Sequence, residues 1–196
     1  MFYPKERTRI RVQSDIAKYP LDRVTLGIFS VSPSAKAVAD VLAATALLAA
    51  ETTISTGFTD PDVPRNVRLT LTETAADVAA VQGVVNGTDM AGNVIAETMP
   101  VFTENTLGTV VGSKVFATVT SIVIPAMDGA GVEISVGSGD LIGIPAIPIS
   151  AALKPVQVSA TAITITADLT NLNGNNFTLD AGEFDDSEHE VLLYLS

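Results

Sequence analysis

Lys114-Val115-Phe116-Ala117-Thr118-Val119-Thr120-Ser121-Ile122-Val123-Ile124 is an eleven-residue run with apolar side chains at both odd and even positions, stopped by Pro125. A strand that is apolar on both faces is a central strand, covered on both sides, and a proline after it ends the hydrogen-bond ladder. On either side of this run the chain keeps the same two-residue period. Val67, Leu69 and Leu71 alternate with Arg68, Thr70 and Thr72, as in a half-buried strand. Val81 to Asn86 and Val94 to Thr98 flank Gly87-Thr88-Asp89-Met90-Ala91-Gly92-Asn93, which reads as a hairpin, with Gly87 and Gly92 free to take positive φ. Val132, Ile134 and Val136 alternate before Gly137-Ser138-Gly139-Asp140, which reads as a turn, as does Gly129-Ala130-Gly131. Ala160 to Ala167 and Val191 to Leu195 complete the set. Short strands separated by turn chemistry predict a mostly-β chain, an antiparallel β-sandwich or jelly-roll-like barrel.

One segment resists this reading. In residues 34–50, Val38, Val41, Leu42, Thr45 and Leu48 follow helical spacing, while Ala37, Ala39, Val41, Ala43, Thr45, Leu47 and Ala49 alternate. It reads as either one helix or one long buried strand. Its apolar part spans 16 residues and contains Lys36 and Asp40, short of the roughly 20 residues a membrane helix needs, so no membrane contact is expected. The first residues hold no apolar signal core, so no secretory signal is expected either.

Composition narrows the function classes. The chain has 196 residues, 47% hydrophobic and 17% charged, with no Cys, no Trp and one His, too apolar for a disordered chain. Its net charge of −11 is unevenly spread. Residues 1–23 carry six basic groups (Lys5, Arg7, Arg9, Arg11, Lys18, Arg23) against three acidic ones, a net +3, so the rest carries −14. A body this acidic repels phosphate backbones, and nucleic-acid binding is not expected of it. Residues 1–33 are read as a basic N-terminal arm and 34–196 as the β domain. Arg7, Arg9 and Arg11 alternate, so an extended arm presents three guanidiniums on one face. Such a row suits docking onto carboxylates of a neighbouring subunit, or else marks a solvated edge strand that discourages pairing.

The catalytic signals are thin. His189 lies in Asp185-Asp186-Ser187-Glu188-His189-Glu190, but triads are assembled from distant segments, and the histidine is expected to face solvent. Residues 168–180 approximate a calcium loop, yet alignment on Gly174 puts Leu169 at the first ligand position, so a β-turn and no metal is expected. The glycine-rich turns lack phosphate-cradling spacing. Glu183, Asp185, Asp186, Glu188 and Glu190 supply carboxylates, but a sugar-cleaving cleft is usually lined by aromatics, which are only 5% of the chain. No enzymatic activity and no cofactor are expected.

Pro61-Asp62-Val63-Pro64-Arg65-Asn66, Gly87-Thr88-Asp89-Met90-Ala91-Gly92-Asn93-Val94-Ile95-Ala96-Glu97-Thr98, the stretch from Gly112 to Pro125, and Val136-Gly137-Ser138-Gly139-Asp140-Leu141-Ile142-Gly143-Ile144-Pro145 together resemble a group of small tailed-bacteriophage virion proteins. That group carries a PDxPRN stretch, a GTDxxGNxIxET hairpin, a GSKxFxTVTSIxIP strand and a VGxGDxxGxP turn; the likeness spans residues 50–150. It implies a β-sandwich virion component with no catalytic residues, located in the virion after synthesis in the host cytoplasm. The expected role is a capsid decoration protein that binds the major capsid protein and self-associates as trimers or dimers. Arg7, Arg9, Arg11 and Arg65 are the candidate contacts. Arg65 has a second reading, a local salt bridge to Asp60 or Asp62. The rivals are a neck, tail or fibre-base component, a glycan-binding module for the host surface, and, last, a hydrolase.

Overall fold

The computed structural model describes residues 25–145, 156–157, 163–168, 170–179 and 183–195. Thirteen strands are present among them, and every ladder is antiparallel. The only helix among the described residues is two single 3-10 turns, Ala75–Asp77 and Leu172–Gly174. The expected mostly-β antiparallel architecture is what the chain adopts, with sheets curled into a half-barrel.

The organising strand is Val132–Gly143, which we call β9. Along one edge it pairs with β4, Arg65–Glu73, from Val132 to Ile142. Its other edge is divided between β2 (Leu42–Ala46) near the start and β12 (Asn176–Leu179) near the end. The short strands β7 (Thr109–Val111) and β11 (Ile163–Thr166) close this six-stranded sheet. A four-stranded sheet has the order β3 (Thr52–Ile54), β8 (Thr118–Ile124), β5 (Val84–Thr88), β6 (Val94–Thr98). In a third sheet β1 (Thr25–Val31) and β10 (Val156–Gln157) flank β13 (His189–Leu195). Residues 25–31, placed by sequence within the arm, therefore lie in a seven-residue ladder with β13. Residues 1–24 lie outside the described residues.

The alternating positions explain the packing. Val67, Leu69 and Leu71 of β4 and Val132, Ile134 and Val136 of β9 meet Val85 of β5 and Val119, Ile122 and Ile124 of β8, all nearly or fully buried. Two sheets thus share one core, each large apolar side chain contributing about 1.5–3 kcal/mol of burial. Beyond Gly139 the same β9 supplies Ile142 to a second cluster, with Ile144, Phe177 and Phe184. One strand therefore threads both cores.

Several sequence expectations need correction. The run from Lys114 becomes a strand only at Thr118; β8 is central, between β3 and β5, but Val115 and Phe116 are buried ahead of it, with Phe116 bridged to Arg65. The 34–50 segment is neither a helix nor one long strand. Only Leu42–Ala46 is a strand, with a bulge between Leu42 and Thr45, because the Val41 and Leu47 N–H groups donate to β9 carbonyls and hold it to that edge. Gly92 has φ 80° in the β5–β6 hairpin, whereas Gly87 lies inside β5 without positive φ. Residues 137–140 are not a turn but the middle of β9. Gly137 is there for proximity, since a Cβ on it would collide with the Ala37 carbonyl oxygen.

Candidate functional site

Four sequence stretches, residues 61–66, 87–98, 112–125 and 136–145, are tied together by hydrogen bonds. Arg65, at the start of β4, is fully buried. Its Nε donates to the Gly139 carbonyl at 2.7 Å, and its Nη1 donates to the Ser34 carbonyl at 3.1 Å and Asp62 Oδ1 at 3.0 Å. The other Asp62 oxygen accepts from the Ser34 N–H at 2.7 Å and the Ser34 hydroxyl at 2.8 Å. Burial raises the Asp62 carboxyl, but the Ser34 hydrogen bonds and the Arg65 guanidinium outweigh it and hold it below its ordinary value. Asn66 extends the node: its Nδ2 donates to the Gly112 carbonyl at 2.6 Å and its Oδ1 accepts from the Leu141 N–H at 2.9 Å. Glu97, 6% exposed, accepts from the Ser113 N–H at 2.6 Å, the Ser113 hydroxyl at 2.9 Å and the Lys114 N–H at 3.2 Å. Asp89 closes the hairpin by accepting from the Ala91 and Asn93 N–H groups. These conspicuous polar residues are spent on holding strands and loops together.

Beside the node lies a cleft of about 330 Å³, walled by Lys36, Arg68, Val111, Gly112, Asp140 and Leu141 among others. Lys36 forms ion pairs with Glu183 and Asp140, both at 3.0 Å. Its hydrogen bonds to Glu183 and then Asp140 raise the ammonium above its ordinary value. Arg68 and Asp140 are less complete. Arg68 Nε and Asp140 Oδ1 are both shut off from solvent without a hydrogen-bond partner among the described residues.

Leu141 is also part of a second groove, of about 560 Å³, lined by Ser113, Lys114, Thr166, Asp168, Asn173 and Asn176 among others. Asp168 is its hub: Oδ1 accepts from the Thr170 N–H and hydroxyl and the Asn171 N–H, and Oδ2 from the Asn171 carboxamide. The Thr170 hydrogen bonds, then those of Asn171, drive the Asp168 carboxyl far below its ordinary value. The sequence predicts a β-turn here; the structure has an Asp-nucleated turn followed by the 3-10 turn at Leu172–Gly174. Among the described residues no three His, Cys, Asp or Glu side chains are grouped to hold a metal ion. No helix among them is long and apolar enough to cross a membrane.

The candidate residues fare differently. Arg7, Arg9 and Arg11 lie outside the described residues. Arg65 occupies the salt bridge to Asp62, the second of its two sequence readings, with its side chain wholly inside the fold. His189 is not solvent-facing. It is 6% exposed and packs edge-on against Phe184, ring centroids 5.2 Å apart, because the first position of β13 faces the second core. Lys36, Arg68 and Asp140 went unmarked as a group; the one signal was a cation at position 68 inside an otherwise Thr-faced strand. No family model, curated protein or solved structure matches the chain.

Proposed function

We propose that this chain is a bacteriophage virion structural protein, a capsid decoration protein that binds the assembled lattice of the major capsid protein and self-associates on it. The observation that carries the reading is the division of charge: +3 on residues 1–23 against −14 on the remainder. An acidic body stays soluble and monodisperse, while a short basic segment supplies the attraction to a carboxylate-bearing surface. Arg7, Arg9 and Arg11 are the contact residues; one exposed pair contributes about 0–1 kcal/mol, so the effect is that of an array. The resemblance of residues 50–150 to tailed-phage virion proteins points the same way, as does an antiparallel body whose motif residues brace the fold. Binding the assembled shell and not the free subunit stabilises it by mass action, about 2.7 kcal/mol per site at a free concentration one hundred times Kd.

The test is co-sedimentation of purified protein with matching capsids across a salt series, wild type against the Arg7→Ala/Arg9→Ala/Arg11→Ala variant. Decoration requires near-stoichiometric pelleting of wild type and weaker, less salt-sensitive pelleting of the variant. Wild type remaining in the supernatant with expanded shells eliminates the reading and turns attention to neck and tail. The host-glycan module has one observation in its favour, the hydroxyl- and carboxamide-lined groove around Asn173. Retention on immobilised host polysaccharide in place of capsids would select it.

A further inference from the structure

We infer that the outer face of the four-stranded sheet is a self-docking surface, on which a second copy of this chain packs face to face about a two-fold axis. Strands β3, β8, β5 and β6 turn Ile54, Ile122, Val85 and Ile95 toward the core, so their alternate positions face outward. The register aligns those outward positions into rows. Thr53, Val123, Val84 and Thr98 make one row across all four strands. Ser121, Asn86 and Ala96 make the next, and Thr118, Thr88 and Val94 the last. Each of these side chains is half-buried or exposed, with Val94 at 85%, and none is charged. Glu97 is the one charged residue on the four strands, and it is buried and bonded to Ser113 and Lys114.

The charge pattern selects the occupant. The chain carries −11, so two copies repel wherever their carboxylates meet. A sheet face without charge lets them approach, and a two-fold axis sets uncharged rows against uncharged rows. A strongly charged partner would find no counter-charge there. The polar atoms of the face are already bonded to one another. The Thr88 and Thr118 hydroxyls pair at 2.8 Å, Asn86 Nδ2 donates to Ser121 Oγ at 3.1 Å, and the Thr120 hydroxyl donates to the Asn86 carbonyl at 3.2 Å. Methyl groups are left to meet the partner, and drying the face strands few hydrogen-bonding groups. Four strands about 4.8 Å apart and five residues of about 3.4 Å rise give roughly 320 Å² per copy, less than half of the ~800 Å² of a stable interface. The pair is therefore weak, with Kd on the order of 0.1–1 mM: open in dilute solution and closed where copies are crowded on a common support. The inference rests on the self-association part of the proposed function, not on capsid binding.

The experiment is sedimentation equilibrium and amide spectroscopy of the full ¹⁵N-labelled chain, without capsids, from about 0.02 to about 2 mM protein to bracket that Kd. Each series is run at roughly 0.01 M and at about 1 M NaCl, Debye lengths of about 30 and 3 Å. The expected result is a monomer–dimer equilibrium that tightens several-fold with salt, because screening relieves the repulsion between acidic bodies while the uncharged face loses nothing. Amides of Val84, Asn86, Thr98 and Val123 shift with concentration, and those of Arg68 and Thr70 on the other sheet do not. Ala96→Asp weakens the dimer about tenfold or more, since the two-fold axis introduces the charge twice. Val94→Asp, at a position open to solvent and therefore harmless to the fold, weakens it in the same direction. A monomer at every concentration, concentration-dependent shifts elsewhere, or a dimer that both aspartate variants leave intact overturns the proposal. So does a dimer that loosens with salt and disappears in Arg7→Ala/Arg9→Ala/Arg11→Ala, which would move self-association to the arm and leave the proposed function standing. Failure to pellet with capsids, in turn, leaves this surface standing.

Discussion

Arg65 Nε reaches the Gly139 carbonyl at 2.7 Å across 74 residues of sequence, and the same guanidinium holds Asp62 at 3.0 Å. A fully buried cation is tolerated only while its counter-charge and acceptors are in place. Removing one partner of a buried pair costs about 3–5 kcal/mol; since the Asp62 side chain is one-third exposed, Asp62→Asn is expected to cost less, about 2–3 kcal/mol. Arg65→Lys should cost a similar amount, because an ammonium cannot serve Gly139, Ser34 and Asp62 together. Urea denaturation of the two variants checks both. A loss under about 0.5 kcal/mol in either, the range of an ordinary surface substitution, would show that the node is incidental.

Gly137 supplies a sharper contrast. A Cβ there would strike backbone, the Ala37 carbonyl oxygen, which no rotamer change relieves. Gly137→Ala is expected to cost about 1–3 kcal/mol or more as overpacking. Gly108 has open space around it and no positive φ, so Gly108→Ala should be neutral or stabilise by about 0.4–1 kcal/mol. Thermal unfolding of the two alanine variants separates them; equal Tm values would refute the close approach of residues 37 and 137.

The same glycine shows where sequence reading reaches and where it stops. Val67/Leu69/Leu71 and Ile163/Ile165 were legible because an alternating side-chain pattern has one structural meaning when one face is covered. Residues 34–50 were not, because alanine fits a helical and an alternating period equally well. The choice came from β9 offering carbonyls to the Val41 and Leu47 N–H groups. Gly137-Ser138-Gly139 looked like a turn because local chemistry cannot distinguish a glycine needed for φ from one needed for room. The Arg68 cleft was invisible for a related reason: its walls come from residues 36, 68, 111–112 and 139–141, four segments that only the finished topology assembles.

His189 sits in the second core with neither ring nitrogen bonded among the described residues, edge-on to Phe184, which is itself edge-on to Phe177 at 6.0 Å. The imidazole is acting as a flat apolar group while carrying unsatisfied polar atoms. Replacing an unpartnered polar group by an apolar one of similar shape is neutral or stabilising. His189→Phe is therefore expected to hold or raise Tm, extending the edge-to-face stack. A fall of several degrees would mean that the imidazole nitrogens are bonded and that the histidine has a polar role.

The acid limb of stability is set by carboxyls whose folded-state values are depressed. For Asp62 and Asp89, burial raises the carboxyl, but hydrogen bonds, from Ser34 and Arg65 in one case and Asn93 and Ala91 in the other, prevail and lower it. A group lowered in the folded state stabilises fully above its unfolded value, about 3.9 for aspartate, and that contribution is lost as pH falls through the folded value. Wild type should therefore hold its urea midpoint from pH 7 to pH 5 and lose it below about pH 4, where the unfolded chain binds more protons. Asp62→Asn cannot lose a charge it lacks, so its deficit should be largest at neutral pH and shrink as wild-type Asp62 protonates. Urea midpoints for the pair at pH 7, 5, 4, 3 and 2 give the comparison. A deficit that stays constant to pH 2 would assign the role of Asp62 to shape and hydrogen bonding, and remove charge from the account of the Arg65 node.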